Sequence, residues 1–197
     1  NISASQVKKH ASCPKSFWFA YLSEREATKQ NDVYLKLGSR VHESIEDALT
    51  ADSPPPLDHK EALEAAFQNL YREKDEYPLP DNHYEDGMGY CAMAAKYIAK
   101  RNPDLTAVEK RVEYRIERDD ISTGVTAIMD IIAEGEIWDW KTGKIDEERT
   151  PHEEKIQGSI YMAAYLDEYG EEPEKIRFVY VKEQAGPGRM NTVFKTY

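Results

Sequence analysis

Apolar residues recur along this chain at helical spacing to about residue 104 and at strand spacing beyond it, which predicts a helical half leading into a sheet. Ser3 and Gln6 form an S-x-x-Q capping box, so a first helix is expected from about Ala4 to Ser12. Pro14 suits the first turn of a second helix, whose Phe17, Trp18, Tyr21 and Leu22 make a core-facing stripe. Residues 33–50 place Leu37, Val41, Ile45 and Leu49 on one helical face. A proline-rich loop at 51–57 precedes a helix starting near Asp58, where Asp58 and Glu61 read as a D-x-x-E cap and Leu63, Ala66, Phe67, Leu70 and Tyr71 as its buried face. Residues 77–87, with two prolines among Asp, Asn and Gly, predict a loop, followed by a helix bearing Met88, Cys91, Ala92, Ala95 and Ile98 that Asn102-Pro103 stops.

The period then changes to two. Val108, Val112, Tyr114 and Ile116 alternate with Glu109, Glu113 and Arg115 in a half-exposed strand over 106–117, and Arg118-Asp119-Asp120 turns the chain. Two apolar runs, Val125 to Ala133 and Ile137 to Lys141, flank the hairpin-length turn Glu134-Gly135-Glu136. After the Thr142-Gly143-Lys144 turn and a charged loop to Thr150, residues 151–169 predict a helix closed by Gly170. Residues 176–182 predict a strand, Gly186-Pro187-Gly188 a turn, and residues 189–197 a last edge strand. The fold class is therefore α/β (α+β).

Composition narrows this modestly. The 197 residues, 40% hydrophobic and 11% aromatic, suit one domain spanning 1–197, with 51–104 as a helical insert or side wall and 105–197 as the core strands and helix. No stretch approaches a membrane span, and the start has no apolar signal-like region. Two cysteines are too few for a disulfide framework and suit a reducing, cytoplasmic setting. The formal net charge of −11 argues against a polyanionic partner only on average, because residues 1–44 carry seven Lys/Arg against four Asp/Glu. Lys8, Lys9, Lys15, Lys36, Arg40, Lys144 and Lys155 are the candidate phosphate contacts.

Candidate chemistry gathers in 124–144. Asp130 interrupts the run Ile128-Met129-Asp130-Ile131-Ile132, and Asp139 sits between Trp138 and Trp140, where an unpaired buried charge is costly. A single acid in a strand most often faces solvent, but two on adjacent strands suit a divalent cation, with the Trp140 carbonyl as a further oxygen ligand and Lys141 as a neighbouring positive charge. Glu109 and Glu113 fit the alternation as solvent-facing residues and neither is assigned as a ligand.

Asp130 followed across a turn by Asp139-Trp140-Lys141 resembles the signature of the PD-(D/E)XK nuclease superfamily, and in detail its RecB-type branch. Three further stretches fit that branch in order: Cys13-Pro14-x-x-Phe17-x-x-x-Tyr21, Gly38-x-x-x-His42, and Gln157-x-x-x-Tyr161. The resemblance implies a restriction-endonuclease-like αβββαβ core with a mixed central sheet and added N-terminal and inserted helices. It implies a metal-dependent DNA nuclease using Mg²⁺ or Mn²⁺, with exonuclease action on DNA ends expected and structure-specific endonuclease action or a non-catalytic DNA- or partner-binding role as alternatives. It gives Lys141, Asp139 and Asp130 catalytic roles, makes His42, Asp130, Asp139 and the Trp140 carbonyl metal ligands, and assigns Gln157 and Tyr161 to the nucleic-acid substrate. Relatives among the CRISPR-associated adaptation nucleases pair a cysteine at the Cys13 position with three near the C-terminus in an iron-sulfur cluster. No cysteine follows Cys91, so Cys13 is read as a packed thiol and no cluster is expected. The expected partner is single-stranded DNA or duplex ends in a prokaryotic cell or its virus, with a homo-oligomer or a recombination, repair or CRISPR-type partner left open.

Overall fold

The computed structural model describes residues 1–23, 33–74, 80–143 and 150–181. The chain begins with a two-residue strand, β1 (Ile2–Ser3), which no periodicity announced, and passes directly into α1 (Ala4–Ser12) and α2 (Pro14–Tyr21). The expected capping box forms, with the Gln6 N–H donating to Ser3 Oγ at 3.3 Å and the Ser3 N–H to Gln6 Oε1 at 2.8 Å. Cys13 separates the two helices in an extended conformation, and its sulfur accepts the Ser16 N–H at 3.4 Å. It is an exposed capping residue and not the packed thiol expected, whereas the Cys91 thiol is buried and pushed up to about 12 by that burial. The stripe on α2 is likewise not a core stripe: Trp18, Tyr21 and Leu22 are 49%, 45% and 62% exposed.

Three longer helices follow: α3 (Val33–Thr50), α4 (Lys60–Glu73) and α5 (Asp81–Arg101). The α3 stripe of Leu37, Val41, Ile45 and Leu49 is buried as its spacing requires. Helix α4 starts later than expected, with His59 at its N-cap making no side-chain cap bond, so Asp58 does not serve that role. Helix α5 starts earlier. Asp81, Asn82 and Gly87 lie inside it because an acid in the first turn favours the helix dipole, and because Gly87 packs against Tyr71, where an added Cβ would lie 2.0 Å from the hydroxyl. Its end is as expected, at Asn102 in the left-handed region (φ 42°).

The sheet is built from β2 (Leu105–Arg118), β3 (Ile121–Ala133), β4 (Glu136–Lys141) and β5 (Lys175–Tyr180), with α6 (Thr150–Tyr169) crossing between the last two. Strands β2 and β3 pair antiparallel around the Asp119–Asp120 turn. Strands β3 and β4 pair antiparallel around Glu134 (φ 52°) and Gly135 (φ 77°), a mirror-image turn that matches strand twist. Strands β4 and β5 run parallel, as the α6 crossover demands, so the sheet is mixed and the order of elements is that of an αβββαβ core. The residues of the expected Gly186-Pro187-Gly188 turn and last edge strand lie outside those described.

Helices cover both faces of the sheet. Helices α3, α4 and α5 pack with Ile131, Ala133, Trp138, Trp140 and Val179 on one face. The other face, with Val112, Val125, Met129, Ile137 and Phe178, packs on Tyr161, Ala164 and Tyr165 of α6. Among the described residues no helix is long and apolar enough to cross a membrane.

Candidate active site

The site lies where β3 loses its neighbour. One edge of β3 is paired to β2, while the other is paired to β1 only at Val125–Thr126 and to β4 only at Ile131–Ala133. Residues 127–130 face the gap. Beyond the Ile131–Trp138 pair the two strands separate, and the Trp140 N–H donates to Asp130 Oδ2 at 2.7 Å. This carboxylate therefore replaces a backbone carbonyl at the fork, which satisfies a buried donor that the ladder no longer serves.

Glu109 reaches the same fork from the opposite side. It lies between the pairs Val108–Ile131 and Lys110–Met129, directly across from Asp130, and its backbone is left-handed (φ 47°). The alternation of faces slips here in both strands. Val112, Tyr114, Val125, Ala127 and Met129 pack toward α6, but nearer the β3–β4 turn it is Ala107 and Ile132 that do so, while Val108 and Ile131 turn to the other face. A non-glycine residue with positive φ costs roughly 1–2 kcal/mol, and such strain tends to gather where a side chain must be aimed.

Helix α3 supplies the third member. His42 Nδ1 lies 3.2 Å from Asp130 Oδ2. Gly38, one turn earlier, permits a close approach as its spacing suggested, though to a side chain: an added Cβ would lie 3.0 Å from Thr142 Oγ1. The ligand atoms of His42, Glu109 and Asp130 all lie within 4.8 Å of one another. Burial pulls the His42 pKa down, but the Asp130 charge and hydrogen bond, with Asp139 beyond, outweigh it and raise the imidazole to about 9. Burial and the neighbouring Asp130 charge push Glu109 up to about 7.

Asp139 stands beside this group and not within it. It faces α6, where its Oδ1 accepts the Tyr161 hydroxyl at 2.6 Å and Gln157 Nε2 at 2.7 Å. Its Oδ2 is in ion-pair contact with the Lys141 ammonium and, among the described residues, takes no other partner. Burial, and then the Asp130 charge, raise the Asp139 pKa against the pull of Lys141. Gln157 Nε2 also donates to the Tyr161 hydroxyl at 2.6 Å, while its Oε1 accepts Lys141 Nζ at 3.0 Å and Lys8 Nζ at 2.8 Å.

The structure thus brings His42, Asp130, Asp139, Trp140, Lys141, Gln157 and Tyr161 around one fork, and adds two residues. Glu109, not assigned as a ligand from the sequence, joins His42 and Asp130. Lys8, expected only along a phosphate path, reaches the site itself. Arg40 leaves that path: it is buried under Tyr71, with its Nη2 donating to the Tyr71 carbonyl at 2.8 Å and its guanidinium 4.6 Å from the ring centre. Lys144 lies outside the described residues.

One nitrogen and two carboxylates suit a divalent cation. Two atoms each about 2.1 Å from one ion are at most about 4.2 Å apart, so a group spanning no more than 4.8 Å closes on an ion by small side-chain shifts. The crowded carboxylates fit a cation as well, since its charge would relieve the repulsion that raises Glu109.

A mixed sheet forked at a carboxylate-histidine group, with a lysine one strand away, is an arrangement that could hold a divalent cation beside a positive charge. The family model of the PD-(D/E)XK nuclease superfamily matches residues 1–193, and the chain belongs to that superfamily of metal-dependent nucleases. No curated protein matches the chain. A solved structure titled "Crystal structure of SSO0001" aligns with 81% of this chain and 74% of its own at 14% identity and a TM-score of 0.37, too distant to add to fold or function.

Proposed function

We propose that the protein is a deoxyribonuclease that hydrolyses phosphodiester bonds with Mg²⁺ or Mn²⁺, of the RecB type, acting as an exonuclease on DNA ends. The observation that carries this reading is the meeting of the His42–Glu109–Asp130 group with the Lys141–Asp139 pair at one break in the sheet. Asp130, Glu109 and His42 would hold the ion, with Asp139 and the Trp140 carbonyl as the remaining ligands on the β4 side. When bound, the cation supplies charge to the scissile phosphate and lowers the pKa of water at the site. His42 gives up its proton to become a ligand, so binding is linked to proton release near neutral pH. Lys141 orients the attacking water and meets charge developing on the phosphate oxygens. Gln157 and Tyr161 hold Asp139, and through Gln157 Oε1 the lysine as well, and from that position they contact the strand and keep it in line for attack.

The test is a time course on end-labelled single- and double-stranded DNA with Mg²⁺, Mn²⁺ or EDTA. Release of nucleotides from linear DNA in metal alone supports the reading. Absence of metal-dependent cleavage of any strand overturns it, and cutting of closed circular DNA replaces the exonuclease assignment with an endonuclease.

A further inference from the structure

The first 23 residues of this acidic chain contain Lys8, Lys9 and Lys15 and no Asp or Glu. They form α1 and α2, whose junction borders a groove of about 340 Å³ lined by Lys8, Lys9, Ser12, Ser16, Tyr21 and Glu153 among others. One end of the groove is at the candidate active site, because Lys8 is the residue whose ammonium shares Gln157 Oε1 with Lys141. After these contacts and the Lys141–Asp139 pair, each ammonium still has a donor to offer, and an anion with several oxygens is the natural ligand for both. The other end carries aromatic rings in water. Tyr21 lines the groove, and Trp18 lies one turn before it on α2. Lys15 lies one turn before Trp18, so a charge and then two rings follow one another along this side of α2.

Such rings are left exposed without burying them in α2's own packing, which among the described residues is against α1. A duplex presents phosphates to a surface and keeps its base faces stacked inside, so it would use the lysines and leave the rings idle. A single strand uses both, placing phosphates on the cations and bases on the rings. Resting on the nuclease reading above, we propose that the α1–α2 groove and the adjoining Lys15–Trp18 side of α2 are the track for one strand of single-stranded DNA, with Lys8 and Lys141 on the phosphate at the site, Lys9 and Lys15 on phosphates further out, and Tyr21 and Trp18 under bases.

Binding without cleavage tests this. Fluorescence anisotropy in EDTA would compare a labelled single strand with its duplex, using the full chain, a Trp18→Ala/Tyr21→Ala variant and a Lys9→Gln/Lys15→Gln variant. Single-strand affinity is expected to exceed duplex affinity. Loss of the two rings should weaken the single strand by roughly ten-fold or more, with under two-fold change for the duplex. Loss of the two lysines should reduce the salt slope on the single strand by about 1.4, at about 0.7 per phosphate contact. All four side chains are exposed, and an unchanged Tm verifies that the variants fold. Unchanged single-strand affinity, or equal losses on duplex, overturns the proposal. So does a concentration-dependent dimer in sedimentation that Trp18→Ala/Leu22→Ser abolishes, since a second copy then covers the rings. Failure of the nuclease reading is separate: the wild-type chain would bind the strand as described and cut none with any metal.

Discussion

Glu109→Gln should make the metal-free protein more stable and the metal-loaded protein less so. Its carboxyl lies at about 7 in the folded chain against 4.5 ordinarily, through burial first and the facing Asp130 charge second. The sign follows from linkage. Below pH 4.5 the group is protonated folded and unfolded and contributes nothing; as pH rises from 4.5 to 7 the unfolded chain ionises first and folding loses free energy, and above 7 the whole penalty is in place. The full shift converts to about 3 kcal/mol, and the partial solvent access of Glu109 screens this to about 1–2 kcal/mol. Glutamine keeps the shape and the strained backbone, so the expected gain is that electrostatic part alone. Denaturant unfolding in EDTA should show it at pH 8 and show almost nothing at pH 4.5. With saturating Mn²⁺ the order should reverse, because the wild-type chain gains binding free energy that the variant forfeits. Glu109→Gly at pH 4.5 isolates the backbone contribution, relieving roughly 1 kcal/mol of left-handed strain. A Glu109→Gln chain that is less stable at pH 8 in EDTA, or gains as much from Mn²⁺ as the parent, would refute both the crowding and the ligand role.

Three further outcomes are expected. Asp139→Ala should lose cleavage and weaken metal-induced stabilisation, whereas Lys141→Ala should lose cleavage with metal binding intact or tighter and His42→Ala should lie between them, as calorimetric titration beside a cleavage assay would show. Glu136, held down to about 2 chiefly by its hydrogen bonds from Arg177, contributes stability that is present above pH 4.5 and lost as pH falls through about 2; Glu136→Gln should therefore cost about 2 kcal/mol at pH 7, after discounting for solvent, and nothing near pH 2 by urea unfolding. Gly87→Ala should lower Tm despite alanine's better helix propensity, because its Cβ would overlap the buried Tyr71 ring; overpacking of this kind costs about 1–3 kcal/mol.

Periodicity read the buried face of α3 because that helix buries a continuous stripe against its neighbours, and a residue's face is then fixed by local spacing. His42, Asp139, Gln157 and Tyr161 are grouped by the resemblance of their motifs, which periodicity alone would not do. The same reasoning fails for α2, whose apolar spacing is as regular as that of α3 but whose side chains meet water. A stripe tells only that a helix has something to cover, and not whether the chain itself covers it. Helix α5 was read too short because Asp, Asn and Gly favour loops and helix N-termini alike, and only the packing of Gly87 on Tyr71 decides between them.

Glu109 is the instructive omission, since alternation makes it a solvent residue and its conformation is not written in any local pattern. The register was available by counting: if Asp119–Asp120 is a two-residue turn, Arg118 pairs with Ile121, and nine residues further along each strand Glu109 stands opposite Asp130. Directly opposed residues share a face, and two like charges so placed destabilise a sheet unless something compensates. A register that forces this opposition is therefore itself a signal for a cation. The left-handed turn at Glu109 and the slip of faces in both strands are how the sheet accommodates that demand: the strands keep their pairing on either side while both carboxylates swing toward His42. The site occupies the least regular part of the sheet because an unbroken ladder would leave these two acids directly opposed on one face, like charge against like charge.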